Sequence, residues 1–136
     1  RNKPRAQKKL LKKDGLKKMT SREIGNIGED YTCKFLEKNG CTILCRNFTI
    51  KGGEIDIVAK KGSLIHFVEV KSRKKDPLES GEAAITKTKM SRIIKTATAY
   101  VSKFEIDCSC IFDVAIVEVD NGAVTDFKYI QRAFTA

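Results

Sequence analysis

Hydrophobic and polar positions repeat along this chain with two periods, and the longer period appears first. Thr20 and Glu23 form the capping-box pattern that opens a helix, and Asn39-Gly40 is a typical helix stop. Between these signals, apolar residues recur at the spacing of one helical face, at Ile24, Ile27, Tyr31 and Phe35. The pattern predicts a first helix with one buried face.

The shorter period predicts strands, because β-branched and apolar runs alternate with tight turns. Between the third and fourth strands, the polar residues 72–80 are predicted to form a loop, and a second helix is predicted from Thr86 to about residue 103. The predicted strands are residues 41–50, 54–60, 64–71, 111–119 and 123–131. The order is α-βββ-α-ββ, in which the helical crossover allows the fourth strand to run parallel to a strand of the meander.

Composition adds a division of the chain into two parts. The 136 residues are 41% hydrophobic and 32% charged, which is typical of a globular protein, with residues 20–136 as a single domain. Residues 1–19 are predicted to be a basic arm, since residues 1–18 contain nine Lys or Arg and one acid. The net charge of the whole chain is +10. Such an arm attracts polyanions without sequence preference, or is simply a solvated tail. No apolar run approaches the ~18 residues of a membrane span, so no membrane partner is expected.

The cysteines indicate in which cellular compartment the protein works, and they do not indicate a metal site. An odd number of cysteines at scattered spacing, without a secretory signal, predicts reduced thiols in a cytoplasmic protein. His66 is the only histidine and is interpreted as a strand residue without chemistry, which argues against structural zinc. The five cysteines are Cys33, Cys41, Cys45, Cys108 and Cys110.

Acidic residues interrupt two of the apolar strands, and these acids carry the functional signal. Asp56 lies in the middle of the second predicted strand, while Glu69 and Lys71 project from one face of the third. Carboxylates inside strands are costly to bury unless a cation meets them. An Asp, a Glu and a Lys on adjacent strands are the composition of a phosphodiesterase site dependent on Mg²⁺ or Mn²⁺.

Several spaced motifs follow one another over residues 20–134: Gly25-x-x-Gly28-Glu29, Arg46-Asn47, Gly53-Glu54-Ile55-Asp56, Phe67-Val68-Glu69-Val70-Lys71-x-Arg73, Lys87-x-x-x-x-Arg92 and Phe112-Asp113-Val114. These motifs resemble those of the bacterial YraN family. That family is similar to minimal members of the PD-(D/E)XK nuclease superfamily, which includes restriction endonucleases and archaeal Holliday-junction resolvases.

The resemblance implies an α/β fold with a restriction endonuclease-like core, a mixed sheet of about five strands flanked by two helices. It also implies site residues. Asp56 and Glu69 would be direct metal ligands, the Val70 carbonyl a third, and Glu29 a ligand through water or to a second metal. Lys71 would orient the attacking water or stabilise the transition state. One departure is that Ile55 stands where the motif's name has Pro.

Basic residues of the same motifs are the candidate nucleic-acid contacts, namely Arg46, Arg73, Lys87 and Arg92, with a solvated surface as the alternative. Asp113 is interpreted as the partner of a structural ion pair with Arg46, Arg73 or Arg92.

The resemblance therefore implies a metal-dependent endonuclease acting on DNA, including branched or structured DNA, for which two sites in a homodimer would be needed. The alternative is a catalytically silent nucleic-acid-binding module. An RNA substrate and a toxin-like nuclease excised from a larger polypeptide also remain open.

Overall fold

One mixed five-stranded sheet organises residues 18–76 and 85–136, which are the residues described in the computed structural model of this protein. The strands lie in the order β1-β2-β3-β4-β5, and two helices accompany them. In chain order the elements are α1 (Ser21–Lys38), β1 (Thr42–Ile50), β2 (Gly53–Lys61), β3 (Leu64–Lys74), α2 (Lys87–Lys103), β4 (Ser109–Asp120) and β5 (Ala123–Phe134). The predicted α/β class and the α-βββ-α-ββ order are confirmed.

Both helices begin at the predicted caps. The Thr20 hydroxyl accepts a hydrogen bond from the Glu23 amide at 3.1 Å, and the Glu23 carboxylate accepts one from the Thr20 amide at 2.8 Å. These reciprocal bonds satisfy two of the amides that a helix start leaves unpaired. Thr86 caps α2 in the simpler way, because its hydroxyl accepts from the Lys89 amide at 3.1 Å.

The sheet is antiparallel except at its centre. β1, β2 and β3 form the predicted meander, and β4 pairs in parallel with β3 along the whole ladder from Leu64 and Ser109 to Lys74 and Val119. The prediction that residue 72 starts a loop was therefore wrong, since pairing with β4 extends β3 through its polar end. Residues 77–80 of that predicted loop, like most of the basic arm, lie outside the described residues.

The helices cover opposite faces of the sheet, and each builds its own core. On one side, residues of α2 pack on the sheet: Ile93, Ala97 and Tyr100 contact Ile55, Val58, Ile65, Phe67 and Phe112. On the other side, α1 contributes Ile24, Cys33 and Leu36 against Ile57, Ala59, Val68, Ala115, Val117 and Val119. Tyr31 departs from the predicted buried stripe, because it is 42% exposed and contacts Phe127 through its ring.

Two glycines let the helices approach the site-bearing strands closely. A Cβ on Gly28 of α1 would lie 1.8 Å from Oγ of Ser72, and a Cβ on Gly53 of β2 would lie 2.1 Å from Oγ1 of Thr96. Neither distance is compatible with a side chain. Gly28 thereby sets α1 against β3, and Gly53 sets α2 against the start of β2.

All five cysteines are free thiols, as predicted. Neither helix in the described part of the chain combines the length and the apolarity that crossing a bilayer requires.

Candidate metal centre

The candidate centre lies where β2 separates from β3. Pairing between these strands begins at Ile57 and Val68, so Asp56 is the first residue of β2 beyond the ladder. Its Oδ2 accepts a hydrogen bond from the backbone N–H of Val70 at 2.8 Å. The N–H and C=O of a strand residue point to the same side of the strand. The Val70 carbonyl therefore also faces the gap that contains the Asp56 side chain.

Glu69 brings a second carboxylate to this gap. Only 5% of Glu69 is exposed, and its carboxyl group lies within hydrogen-bonding reach of that of Asp56. Burial, followed by the Glu69 charge, raises the pKa of Asp56 to about 8, although the Val70 N–H opposes the shift. Two carboxylates held this close repel each other when both are ionised. The pair therefore favours either a bound proton or a cation between the two groups.

Glu29 on α1 is near this pair but is held by β1. Its Oε1 lies 3.2 Å from Nη2 of Arg46, and its Oε2 accepts a hydrogen bond from the Asn47 side chain at 3.1 Å. Its charge adds to the effects that raise the pKa of Asp56. Arg46 also contacts Asp30 at 2.9 Å, so its guanidinium group is shared between two acids of α1.

Two lysines approach from the α2 side of the sheet. Lys71 is exposed and lies on the same face of β3 as Glu69, as the spacing predicts. Nζ of Lys89 lies 3.4 Å from Oε2 of Glu69, a contact that sequence reasoning missed. The one available signal was its position three residues after the Thr86 cap, which places it in the first turn of α2.

The remaining basic candidates lie on α2 and near the end of β3. Lys87 and Arg92 are exposed on α2. Arg73 is partly buried near the end of β3 and interacts with other residues. These three side chains remain candidate phosphate contacts by position and charge alone.

The donor set fits a hard divalent cation with few protein ligands. Within the described residues no three His, Cys, Asp or Glu side chains are grouped so that they could hold a metal ion together. The available donors are thus the carboxylates of Asp56 and Glu69 with the carbonyl of Val70. Mg²⁺ prefers oxygen ligands and keeps several waters, and Mn²⁺ accepts the same donors. Glu29 fits a role through water better than direct coordination.

Asp113 has a structural role, but the predicted arginine partners were wrong. It is fully buried, and its Oδ2 lies 2.7 Å from Nδ1 of His66 on the neighbouring strand. The Tyr129 hydroxyl donates to the same oxygen, and the Arg132 amide donates to Oδ1 at 2.9 Å. Burial and this carboxylate both raise the pKa of Tyr129. His66 is hence part of a buried network that joins β3, β4 and β5.

Comparisons with known proteins find one family model and several relatives that match this chain. The model described as "Uncharacterised protein family UPF0102" matches residues 28–117. A UPF0102 protein of Dictyoglomus thermophilum is 40% identical over 118 residues, covering 85% of this chain and 100% of the relative. One from Caldicellulosiruptor saccharolyticus is 41% identical with the same coverage. One from Campylobacter jejuni is 44% identical over 103 residues, covering 71% of this chain and 90% of the relative. The matched region includes α1 from Gly28, all of the candidate centre, and most of β4.

Proposed function

This chain belongs to the uncharacterised protein family UPF0102, also called the YraN family, and we propose that it is a metal-dependent endonuclease acting on DNA. The observation that carries the proposal is the Asp56–Glu69 carboxylate pair at the point where β2 leaves β3, with the Val70 backbone N–H hydrogen-bonded to Asp56. The order α-βββ-α-ββ, with β4 parallel to β3, supports membership of the PD-(D/E)XK superfamily by resemblance.

The metal would be held by Asp56, Glu69 and the Val70 carbonyl. When bound, Mg²⁺ or Mn²⁺ supplies positive charge that neutralises the charge developing on the phosphate oxygens during hydrolysis. As a ligand of such a cation, Asp56 would have to be ionised, because a ligand carboxylate binds in its deprotonated form. Glu29, kept in place by Arg46 and Asn47, accepts hydrogen bonds from water at the α1 side of the centre.

Lys71 is the candidate for positioning the attacking water. It follows Glu69 by two residues on the same face of β3 and is exposed, so its ammonium group can reach a substrate phosphate or a water. An ammonium near the reacting phosphorus stabilises negative charge in the transition state. Its three N–H donors can orient water without a change of protonation.

The charge of the chain supports a polyanionic substrate. The net charge is +10, and α2 carries exposed Lys87 and Arg92 on the side of the sheet that Glu69 faces. Contacts of this kind bind phosphates without reading bases. DNA is the proposed substrate, and a branched form would require two centres in a homodimer.

A cleavage assay tests the proposal. Wild type, Glu69→Gln and the matched control Glu37→Gln are incubated with single-stranded, duplex, flapped and four-way-junction DNA, with Mg²⁺ or Mn²⁺ and with a chelator. Glu37 is exposed near the end of α1, so its variant should retain activity. Metal-dependent products from wild type and Glu37→Gln, absent with Glu69→Gln, are the expected result.

Two outcomes contradict the proposal. Binding of DNA without cleavage by any variant would favour the catalytically silent binding module. Cleavage that survives Glu69→Gln would place the activity elsewhere or in a contaminant.

A further inference from the structure

The first turn of α2 has an unusual charge for a helix start. It contains Lys87 and Lys89 and no acid, although the partial positive charge at a helix N-terminus favours acidic side chains there. Lysine side chains at a helix N-terminus are mildly destabilising, because both carry positive charge, unless an anion lies close by. The buried carboxylate pair supplies that anion, because Lys89 contacts Glu69 directly.

The contact joins a buried acid to a lysine that is free to move. The Glu69 side chain is 6% exposed and the Lys89 side chain is 46% exposed, with 3.4 Å between Oε2 and Nζ. Four methylene groups allow the Lys89 ammonium to swing outward while its backbone stays in the capped first turn. Glu69 has no comparable freedom, since its side chain is buried.

We propose that Lys89 is a cation-displaced phosphate contact: it neutralises Glu69 in the metal-free protein, yields that carboxylate to the divalent cation, and then binds a phosphate oxygen of the nucleic acid. This inference builds on the proposed function and adds a substrate contact that the sequence motifs do not contain. An ammonium and a metal ion cannot both occupy the same side of Oε2. A lysine released beside a metal-bound phosphate meets a strong acceptor within reach of its side chain.

The arrangement couples metal binding to substrate binding. Before the cation arrives, Lys89 is paired and contributes little attraction to DNA. Afterwards the same charge faces solvent next to the centre, where it adds one phosphate contact. Lys71, which lies on the strand and is exposed, provides a contact that does not depend on this exchange.

The test measures metal affinity and DNA affinity separately, in full-length wild type, Lys89→Met, Lys89→Arg and the control Lys95→Met. Lys95 is exposed on the same helix and outside the proposed machinery. Mn²⁺ binding is measured by calorimetry without DNA. Binding of a labelled DNA duplex is measured by anisotropy in Ca²⁺, which has oxygen ligands like Mg²⁺ but is expected not to support cleavage.

Removal of the competing charge in Lys89→Met should tighten Mn²⁺ binding by about 3–10-fold. The gain in DNA affinity on addition of Ca²⁺ should become smaller, and the slope of log DNA affinity against log salt concentration should decrease by about 1. Lys89→Arg should bind Mn²⁺ no more tightly than wild type, and Lys95→Met should match wild type in metal affinity. Unchanged or weaker Mn²⁺ binding in Lys89→Met overturns the inference, as does tighter Mn²⁺ binding with an unchanged DNA response.

A Glu69→Gln variant separates this inference from the proposed function. Mn²⁺ binding that is absent from wild type, or equal in wild type and Glu69→Gln, overturns both. Mn²⁺ binding that requires Glu69 but ignores Lys89 overturns only the role of Lys89.

Discussion

The backbone N–H of Val70 donates a 2.8 Å hydrogen bond to Oδ2 of Asp56, and this bond ties the acid of β2 to the strand that carries Glu69. The ladder between β2 and β3 has ended at this point, so the amide has a side chain rather than a strand as its partner. The bond fixes the Asp56 carboxylate next to Glu69 without neutralising it. The strand separation therefore produces the carboxylate pair.

Stability of the metal-free protein should fall as pH rises. Because the folded-state pKa of Asp56 is about 8, the folded protein retains a proton between about pH 4 and that value, whereas the unfolded chain has lost it. Folding then takes up a proton, and higher pH favours the unfolded state. In urea denaturation with a chelator, we expect wild type to lose on the order of 1–3 kcal/mol between about pH 5.5 and about pH 8.5 relative to Asp56→Asn. Parallel pH profiles of the two proteins would contradict this origin of the slope.

Metal binding should release the same proton. At about pH 6.5 we expect about one proton to leave for each Mn²⁺ bound, and the affinity should rise up to tenfold per pH unit until the pKa of Asp56 is passed. Calorimetry in two buffers of different ionisation enthalpy measures the proton count. The control is a titration at about pH 9, where the release should be nearly zero. An equal release at both pH values would exclude Asp56 as its source.

Gly28 and Ser72 should be energetically coupled. A methyl group on Gly28 would collide with Oγ of Ser72, so Gly28→Ala should destabilise the protein by about 1–3 kcal/mol. The Ser72 hydroxyl is buried and has no hydrogen-bond partner among the described residues, so Ser72→Ala should be neutral or should stabilise by about 1 kcal/mol. Urea denaturation of both single variants and the double variant should give a coupling energy above about 0.5 kcal/mol. Additive effects would show that the helix moves away instead.

The sequence predicts local elements well because their signals are local. The Thr20 capping box and the Asn121-Gly122 turn, both of whose residues have positive φ, determine where chain segments start and reverse. Asp56 and Glu69 could also be found, since acids inside apolar strands are conspicuous. The extension of β3 to Lys74 could not be read from its polar residues, because pairing with a strand 45 residues farther along stabilises it.

Side-chain partners across the fold were harder to predict. His66 and Asp113 are 47 residues apart and meet only because β3 and β4 are in parallel register. Lys89 reaches Glu69 because Gly53 lets α2 approach the sheet, which no charge pattern indicates. Such contacts depend on strand register and helix placement, whereas the motifs record only positions along the chain.

The buried Asp113 network should dominate the stability of β3–β5. Asp113→Ala would remove the acceptor of three donors, namely the buried His66 ring and the Tyr129 hydroxyl and Arg132 amide, whose hydrogen bonds are partly buried. We expect a loss of about 3–5 kcal/mol, measured by urea denaturation, against about 1 kcal/mol for Tyr129→Phe. Asp107→Ala, at an exposed position before β4, is the control and should change stability by less than about 0.5 kcal/mol. A loss below about 1 kcal/mol for Asp113→Ala would mean that water replaces the carboxylate.

Arg46 and Arg92 should contribute unequally to DNA binding although both were predicted as phosphate contacts. Nη2 of Arg46 lies 3.2 Å from Glu29 and 2.9 Å from Asp30, so a phosphate approaching it meets two acids as well. Arg92 is exposed on α2, the helix that also carries Lys89. We expect Arg92→Met to reduce the slope of log affinity against log salt by about 1, and Arg46→Met by less than about half as much. Anisotropy titrations of a DNA duplex over a range of salt measure both slopes. A full unit lost in Arg46→Met would show that its guanidinium group leaves the acids of α1 to bind phosphate, which would free Glu29 to move toward the metal centre.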